Sequence, residues 1–241
     1  MLEADLSWLE GWCSGQPSSK RMQILATAGR LFHEKGFEAT SIQDVAAACG
    51  LTKPGLYHHI RSKEDLLLEI CMRGLDVFEA EVVAPSLAVA DPLERLRIWM
   101  DRHVRLVHRP SVQQVTVLIH ERTRFPGPAE TQVRNRKRRL MQILETAFRD
   151  AMEAGQIRPV HPKVAAFSMV GMVLWTSRWY RPEGELDRDD LAREIGRLFF
   201  GGLVSAAAAE ALPPRAEVLT TTLGRDRPTR RRPGLRTPAV A

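Results

Sequence analysis

Apolar residues recur at helical spacing along most of this 241-residue chain. Ile24, Leu25, Ala28, Leu31 and Phe32 fall on one face of a segment running from Ser19 or Lys20 to Lys35. Gly36 ends that predicted helix, and Phe37 plugs a small core behind it. A shorter pattern follows. Thr40 and Gln43 form a capping box ahead of Ile42, Val45 and Ala46, and Gly50 stops the segment. Thr52 caps a second short helix with Pro54 in its first turn, where no intrahelical donor is lost, and Leu56 and Ile60 continue the apolar face. Ala46 is small enough to let the two helices cross closely. The pattern is a helix-turn-helix, whose second helix suits the major groove of DNA.

The remaining pattern is helical as well. Ser62-Lys63-Glu64-Asp65 opens a long helix to about Val83, with Leu66, Leu67, Ile70, Leu75 and Phe78 facing the core and Pro85 closing it. Asp91-Pro92-Leu93-Glu94 starts a helix to about His108, and Pro110 resets the chain for another over Ser111–Arg122. After the Phe125–Pro128 loop a helix runs to Met152 or beyond, ending at Gly155. Pro162 opens the most apolar helix, Lys163 to Tyr180, expected to be central because it is hydrophobic nearly all round. Asp187 and Asp190 cap a last helix to about Leu212. No alternating run is long enough to require a sheet, so the fold class is all-α.

Charge divides the chain. The formal net charge of +6 concentrates in the helix-turn-helix, where Lys20, Arg21, Arg30, Lys35, Lys53, Arg61 and Lys63 outnumber Glu34, Glu38 and Asp44, and in the arginines after Pro213. Residues 64–212 are neutral overall. A basic head on a neutral body suits a polyanionic partner for the head alone. Cys13, Cys49 and Cys71 are too scattered for a disulfide framework or a zinc site. The N-terminus lacks the basic flank and apolar core of a signal peptide, and Val164–Trp175 is too short to span a bilayer. A cytoplasmic protein without a membrane segment is expected.

Gly36 to Leu67, with Gly-Phe, Thr-Ser-Ile, Gly-Leu-Thr-Lys, Leu-Tyr-His-His and Ser-Lys-Glu-Asp in order, resembles the DNA-binding segment of the TetR family of bacterial transcriptional regulators, and the match extends back to about Lys20. Pro54 stands where Gly, Ser or Ala is usual, and Ile60 where Phe is usual. The resemblance implies a ligand-responsive repressor acting as a homodimer on a palindromic operator, without catalysis or cofactor. It implies phosphate contacts from Thr40, Thr52, Tyr57 and Lys63, with Lys53, Gly55 and His58 at or near base edges. The chain then divides into an extension (1–18), a DNA-binding domain (19–65), a ligand-binding and dimerisation domain (66–212) and, where Pro, Arg, Thr and Gly dominate, a disordered basic tail (213–241). Helices 163–181 and 187–212 are expected to pair across a two-fold axis, with Val173, Leu198, Phe199 and Leu203 in the seam and Gly171, Gly196, Gly201 and Gly202 allowing close approach.

The segment Trp175–Pro182, with Arg-Trp-Tyr-Arg-Pro at its end, is similar to TetR-family repressors of steroid and fatty-acid catabolism that respond to CoA thioesters. That similarity, with Arg178, Arg181 and the basic run at 134–139, favours an acyl-CoA effector. Trp99, His103, Met172, Trp175, Arg178, Trp179 and Arg181 are the expected ligand-binding residues. A free fatty acid or a lipophilic drug is the alternative effector, and a ligand-free DNA-architectural protein the alternative of another class. Each feature also has a plain reading: the tryptophans as core or dimer packing, the arginines as partners of a helix C-terminus, and the basic run as a solvated face. His103, His108 and His120 are read as packing or surface residues, not metal ligands. No motif asks for a catalytic site.

Overall fold

A computed structural model describes residues 19–109 and 128–201. Every regular element among them is helical: α1 (Lys20–Lys35), α2 (Ile42–Ala48), α3 (Lys53–Tyr57), α4 (Lys63–Phe78), a π-helical turn (Glu79–Val83), α5 (Ala84–Leu87), α6 (Pro92–Val107), α7 (Pro128–Glu153), α8 (Pro162–Trp179) and α9 (Arg188–Gly201). The all-α expectation holds. The expected helix over 111–122, the extension 1–18 and the tail 213–241 lie outside the described residues, as do His120, Gly202 and Leu203.

The head is built as expected, with one correction. The Ser19 hydroxyl accepts from Met22 N–H to start α1, and Gly36 ends it at φ 86°, a left-handed conformation that favours glycine. Ile24, Leu25, Phe32, Val45, Leu56 and Leu66 are all buried in its core, and the Phe37 ring meets Phe32 edge-on at 5.1 Å between centroids. The capping box of α2, however, is Ser41 with Asp44, not Thr40 with Gln43. Thr40 is buried, and its hydroxyl lies 2.8 Å from the Gly36 carbonyl and 3.3 Å from that of Leu31. It ties the loop after α1 back to the end of that helix.

The helix leaving the head also departs from expectation. Pro85 was expected to close it, yet helix continues through Pro85 to Leu87 by way of the π turn. In an α-helix the missing Pro85 N–H would bond to the Glu81 carbonyl. Here the Arg102 guanidinium on α6 donates to that carbonyl at 3.2 Å. Arg109 pairs with the Glu81 carboxylate through two 2.6 Å bonds, and Arg136 on α7 reaches Asp76 at 2.6 Å and Glu79 at 2.8 Å. The break in α-helical pattern is thus held from two neighbouring helices.

In the body, α6 is the surrounded helix: it packs against α7, α8, α9, α5 and the π turn and buries Leu96, Trp99, Met100, His103, Val104, Leu106 and Val107. This corrects the expectation for α8. One face of α8, carrying Ala166, Met169, Val173 and Thr176, is buried, while Val164, Phe167, Trp175 and Trp179 are exposed. Val173, expected in a dimer seam, faces the core of its own chain. Among the described residues no helix is long and apolar enough to cross a membrane.

A buried polar contact joins the ends of α6 and α8. His108 Nε2 lies 2.6 Å from Thr176 Oγ1, and the Thr176 hydroxyl donates to the Val173 carbonyl at 2.5 Å, so its oxygen accepts from a neutral imidazole. The Tyr180 ring stands 4.5 Å from that of His108. Burial, and then the nearby Arg188 charge, push the His108 pKa from 6.5 down to about 4. The unfolded chain therefore binds a proton between these values that the folded chain refuses. The contribution is fully present above about pH 6.5 and is lost progressively as pH falls toward 4, by roughly 3 kcal/mol in all. Urea unfolding across this window should show His108→Gln with a shallower pH dependence than the parent protein; equal slopes would remove His108 from the account.

Candidate nucleic-acid interface and ligand cavity

The turn between α2 and α3 presents a short, polar helix to solvent. Thr52 caps it, its hydroxyl oxygen accepting from Gly55 N–H at 3.2 Å. Leu56 is fully buried beneath it, while Thr52, Lys53, Tyr57 and His58 are exposed. A Cβ added at Gly55 would stand 3.1 Å from Thr52 Oγ1, so glycine here keeps the cap uncrowded as well as the face low. Lys63 is more committed than expected. Its ammonium donates to the Phe37 carbonyl at 2.9 Å and sits 4.3 Å above the Phe37 ring. Arg21 bonds to the His59 carbonyl and to Glu69, fixing the end of α3 against α1 and α4. Of the seven expected DNA contacts, Thr52, Lys53, Tyr57 and His58 are exposed on α3 and its two ends, with Gly55 half-buried among them. Lys63 borders the head's packing, and Thr40 is turned inward with its hydroxyl occupied.

In the body, α4, α6, α7 and α8 bound a cavity of about 720 Å³. Phe78, Trp99, Leu106, Val107, Leu140, Val170 and Leu174 give it apolar walls, with His103 among them. Phe78 meets Trp99 and His103 edge-on, at 5.7 and 4.9 Å between centroids. Lys137, Arg138, Gln142, Glu145 and Lys163 supply its polar groups. Lys137 is half-buried, and desolvation lowers its pKa; its neighbour Cys71 is pushed up to about 12 by burial. Such a space suits an elongated apolar group bearing an anionic end.

Two of the seven expected ligand residues, Trp99 and His103, line this cavity. Met172, Trp175, Arg178, Trp179 and Arg181 do not. At about 100° per residue, Lys163, Phe167, Val170, Gly171 and Leu174 share one sector of α8 toward the cavity; Trp175 and Trp179 turn away from it, and Arg178 keeps the sector but stands one turn past Leu174, beyond the lining residues. The cations come instead from within the 134–139 run and from Lys163. That run is also more than a solvated face, since Arg136 is an ion-pair anchor. Lys137 was detectable in the sequence: with Leu140, Met141 and Leu144 it keeps the i, i+3, i+4, i+7 spacing of the apolar face. Among the described residues no cluster of His, Cys, Asp and Glu could hold a metal ion.

Comparison with known proteins bears on family and fold. Residues 24–70 match the family described as bacterial regulatory proteins, tetR family, and residues 89–203 match the tetracyclin repressor-like C-terminal domain. The HTH-type transcriptional repressor KstR2 of Rhodococcus jostii is 30% identical over 199 residues, covering 78% of this chain and 93% of the relative. The crystal structure of AibR in complex with isovaleryl coenzyme A and operator DNA superposes with a TM-score of 0.72 at 41% identity, covering 76% of this chain and 98% of that one. PfmR from Thermus thermophilus, a TetR family transcriptional regulator, superposes with a TM-score of 0.68 at 35% identity, over 76% of this chain and all of that one. The chain belongs to the TetR family of transcriptional regulators.

The cap geometry gives a stability test of the recognition segment. Thr52→Ala should cost about 1 kcal/mol by removing the cap. Gly55→Ala should stay within about 1 kcal/mol of the parent, because the gain in helix propensity offsets crowding of the same hydroxyl. Urea unfolding measures both, and an unchanged Thr52→Ala protein would show that the cap does not hold α3.

Proposed function

We propose that this TetR-family regulator is a homodimeric repressor that holds a palindromic operator and is released from it by an acyl-CoA. The division of labour is a DNA-binding domain at 19–65 and a ligand-binding and dimerisation domain at 66–212. Thr52 and Tyr57 contact phosphates, and Lys53, Gly55 and His58 lie at or near base edges, with Lys63 at the border of the interface. The observation that carries the effector is the cavity itself: apolar walls of Phe78, Trp99, Leu140 and Leu174, with Lys137, Arg138 and Lys163 among its polar groups. The walls take the acyl chain, and the cations meet the thioester's phosphates. Similarity to a protein crystallised with isovaleryl coenzyme A and operator DNA supports the same reading.

Release follows from where the cavity sits. Phe78 is the last residue of α4, the helix that starts in the head, and the π turn begins at the next residue. A ligand that displaces Phe78 favours a different arrangement of α4 and its π turn, and so a different spacing of the two recognition helices. Arg136, which holds Asp76 and Glu79, lies next in sequence to the ligand-facing Lys137 and Arg138, so ligand and α4 share one anchoring helix.

Two measurements test the head and the effector separately. Tyr57→Ala should weaken binding to all DNA, and Lys53→Ala should also relax base preference at about one position, each by about 1–3 kcal/mol. Unchanged affinity in both folded variants would reject the assignment of α3. Titrating the protein–DNA complex with an acyl-CoA, its free acid and free CoA should give release by the thioester at the lowest concentration. Equal potency of the free acid would replace the thioester with a fatty acid as effector.

A further inference from the structure

We infer that the Trp99 indole N–H is the donor that fixes the ligand in the cavity, by bonding the carbonyl oxygen of its acyl group; that this carbonyl belongs to a thioester rests on the acyl-CoA reading above. Trp99 is 2% exposed and lines the cavity. Its Nε1 is buried with no hydrogen-bond partner among the described residues. An indole nitrogen can only donate, and buried donors are nearly always paired. Unpaired, the group costs the folded chain its desolvation. A phenylalanine would give the wall an aromatic ring without that cost. What the indole adds is one donor at the cavity wall.

The setting selects the acceptor. To this wall α6 gives Trp99, His103, Leu106 and Val107, and no Lys, Arg, Asp or Glu. Phe78 stands edge-on to the indole at 5.7 Å. A carboxylate or phosphate brought against these groups would lose its hydration for one neutral donor, which does not offset the loss. The cations that can offset it stand on α7 and α8, at Lys137, Arg138 and Lys163. A neutral carbonyl loses far less and regains a bond. A thioester carries both kinds of group: phosphates for the cations and, where the apolar chain begins, a neutral carbonyl. A free fatty acid carries only charged oxygens.

The bond also sets where the ligand presses. Phe78 is the last residue of α4 and touches the indole. A carbonyl held at Trp99 therefore fixes how far the acyl chain reaches past Phe78. Acyl length is measured from that donor.

Ligand pairs and the indole signal test this together. The chain has five tryptophans, and the Trp99 N–H signal in a proton–nitrogen NMR spectrum is the one missing from Trp99→Phe. Trp8→Phe, Trp12→Phe, Trp175→Phe and Trp179→Phe identify the other four, so the spectrum can be read even if Trp99→Phe does not fold. Isovaleryl-CoA should bind the parent about tenfold tighter than S-isopentyl-CoA, its thioether counterpart without the carbonyl, and Trp99→Phe should bind both alike. The Trp99 signal should move downfield with the thioester and not with the thioether. Isovaleryl-CoA binding with that signal unmoved, or a tenfold preference that survives in Trp99→Phe, overturns the inference. Should neither CoA compound bind, methyl hexyl ketone takes their place. A downfield Trp99 signal with the ketone then keeps the donor and rejects the acyl-CoA effector, and an unmoved one overturns the donor as well.

Discussion

The structure depends on a proline that lacks a donor and an arginine that replaces it. Pro85 sits inside a helix that begins at Lys63, and the Glu81 carbonyl, to which an α-helical N–H at position 85 would bond, accepts from the Arg102 guanidinium. Arg109 pairs with the Glu81 carboxylate, and Arg136 with Asp76 and Glu79 just before it. Three arginines from outside the segment thus hold a π turn between the head's long helix and the body. Local changes of helical pattern of this kind occur where a helix has a task besides packing. Here the turn begins directly after Phe78, a wall of the cavity.

Polar side chains in the head divide into those spent on the fold and those left for a partner. Thr40 serves the end of α1, Arg21 ties α3 to α4, and Lys63 bonds a carbonyl and covers a ring. Thr40 and Lys63 were expected DNA contacts, and Arg21 was counted in the head's basic charge. The exposed set, Thr52, Lys53, Tyr57 and His58, surrounds a helix anchored by the fully buried Leu56. Leu56, the Thr52 cap and the Arg21 bond to the His59 carbonyl hold so short a helix, which leaves the exposed side chains free.

The body shows how one helix serves three surroundings. On α8, Ala166, Met169 and Val173 pack inward, Val170 and Leu174 face the cavity, and Val164, Trp175 and Trp179 face outward. Uniform hydrophobicity of the sequence reflects these three apolar demands and not a central position. The central position falls to α6, whose strongly amphipathic pattern still buries Trp99 and His103 within the cavity wall.

The sequence by itself determined the elements and their class. Helical spacing, the capping residues at Ser19, Ser62 and Asp91, and the left-handed glycines at Gly36 and Gly50 are local constraints, and each is satisfied where the residues stand. The recognition motif was legible for the same reason, since its chemistry lies within a few consecutive turns. Only the tertiary structure decided which polar groups remain free, because Thr40 or Lys63 is occupied by carbonyls several residues or a whole helix away. It also decided the wall of the cavity. Spacing fixes which residues of α8 share a face, but not which neighbour each face meets, so Phe167 and Gly171 line the cavity while Trp175 and Arg178, on the same apolar helix, do not. Helix periodicity is a property of one segment; the partner of each face is set by the packing of all of them.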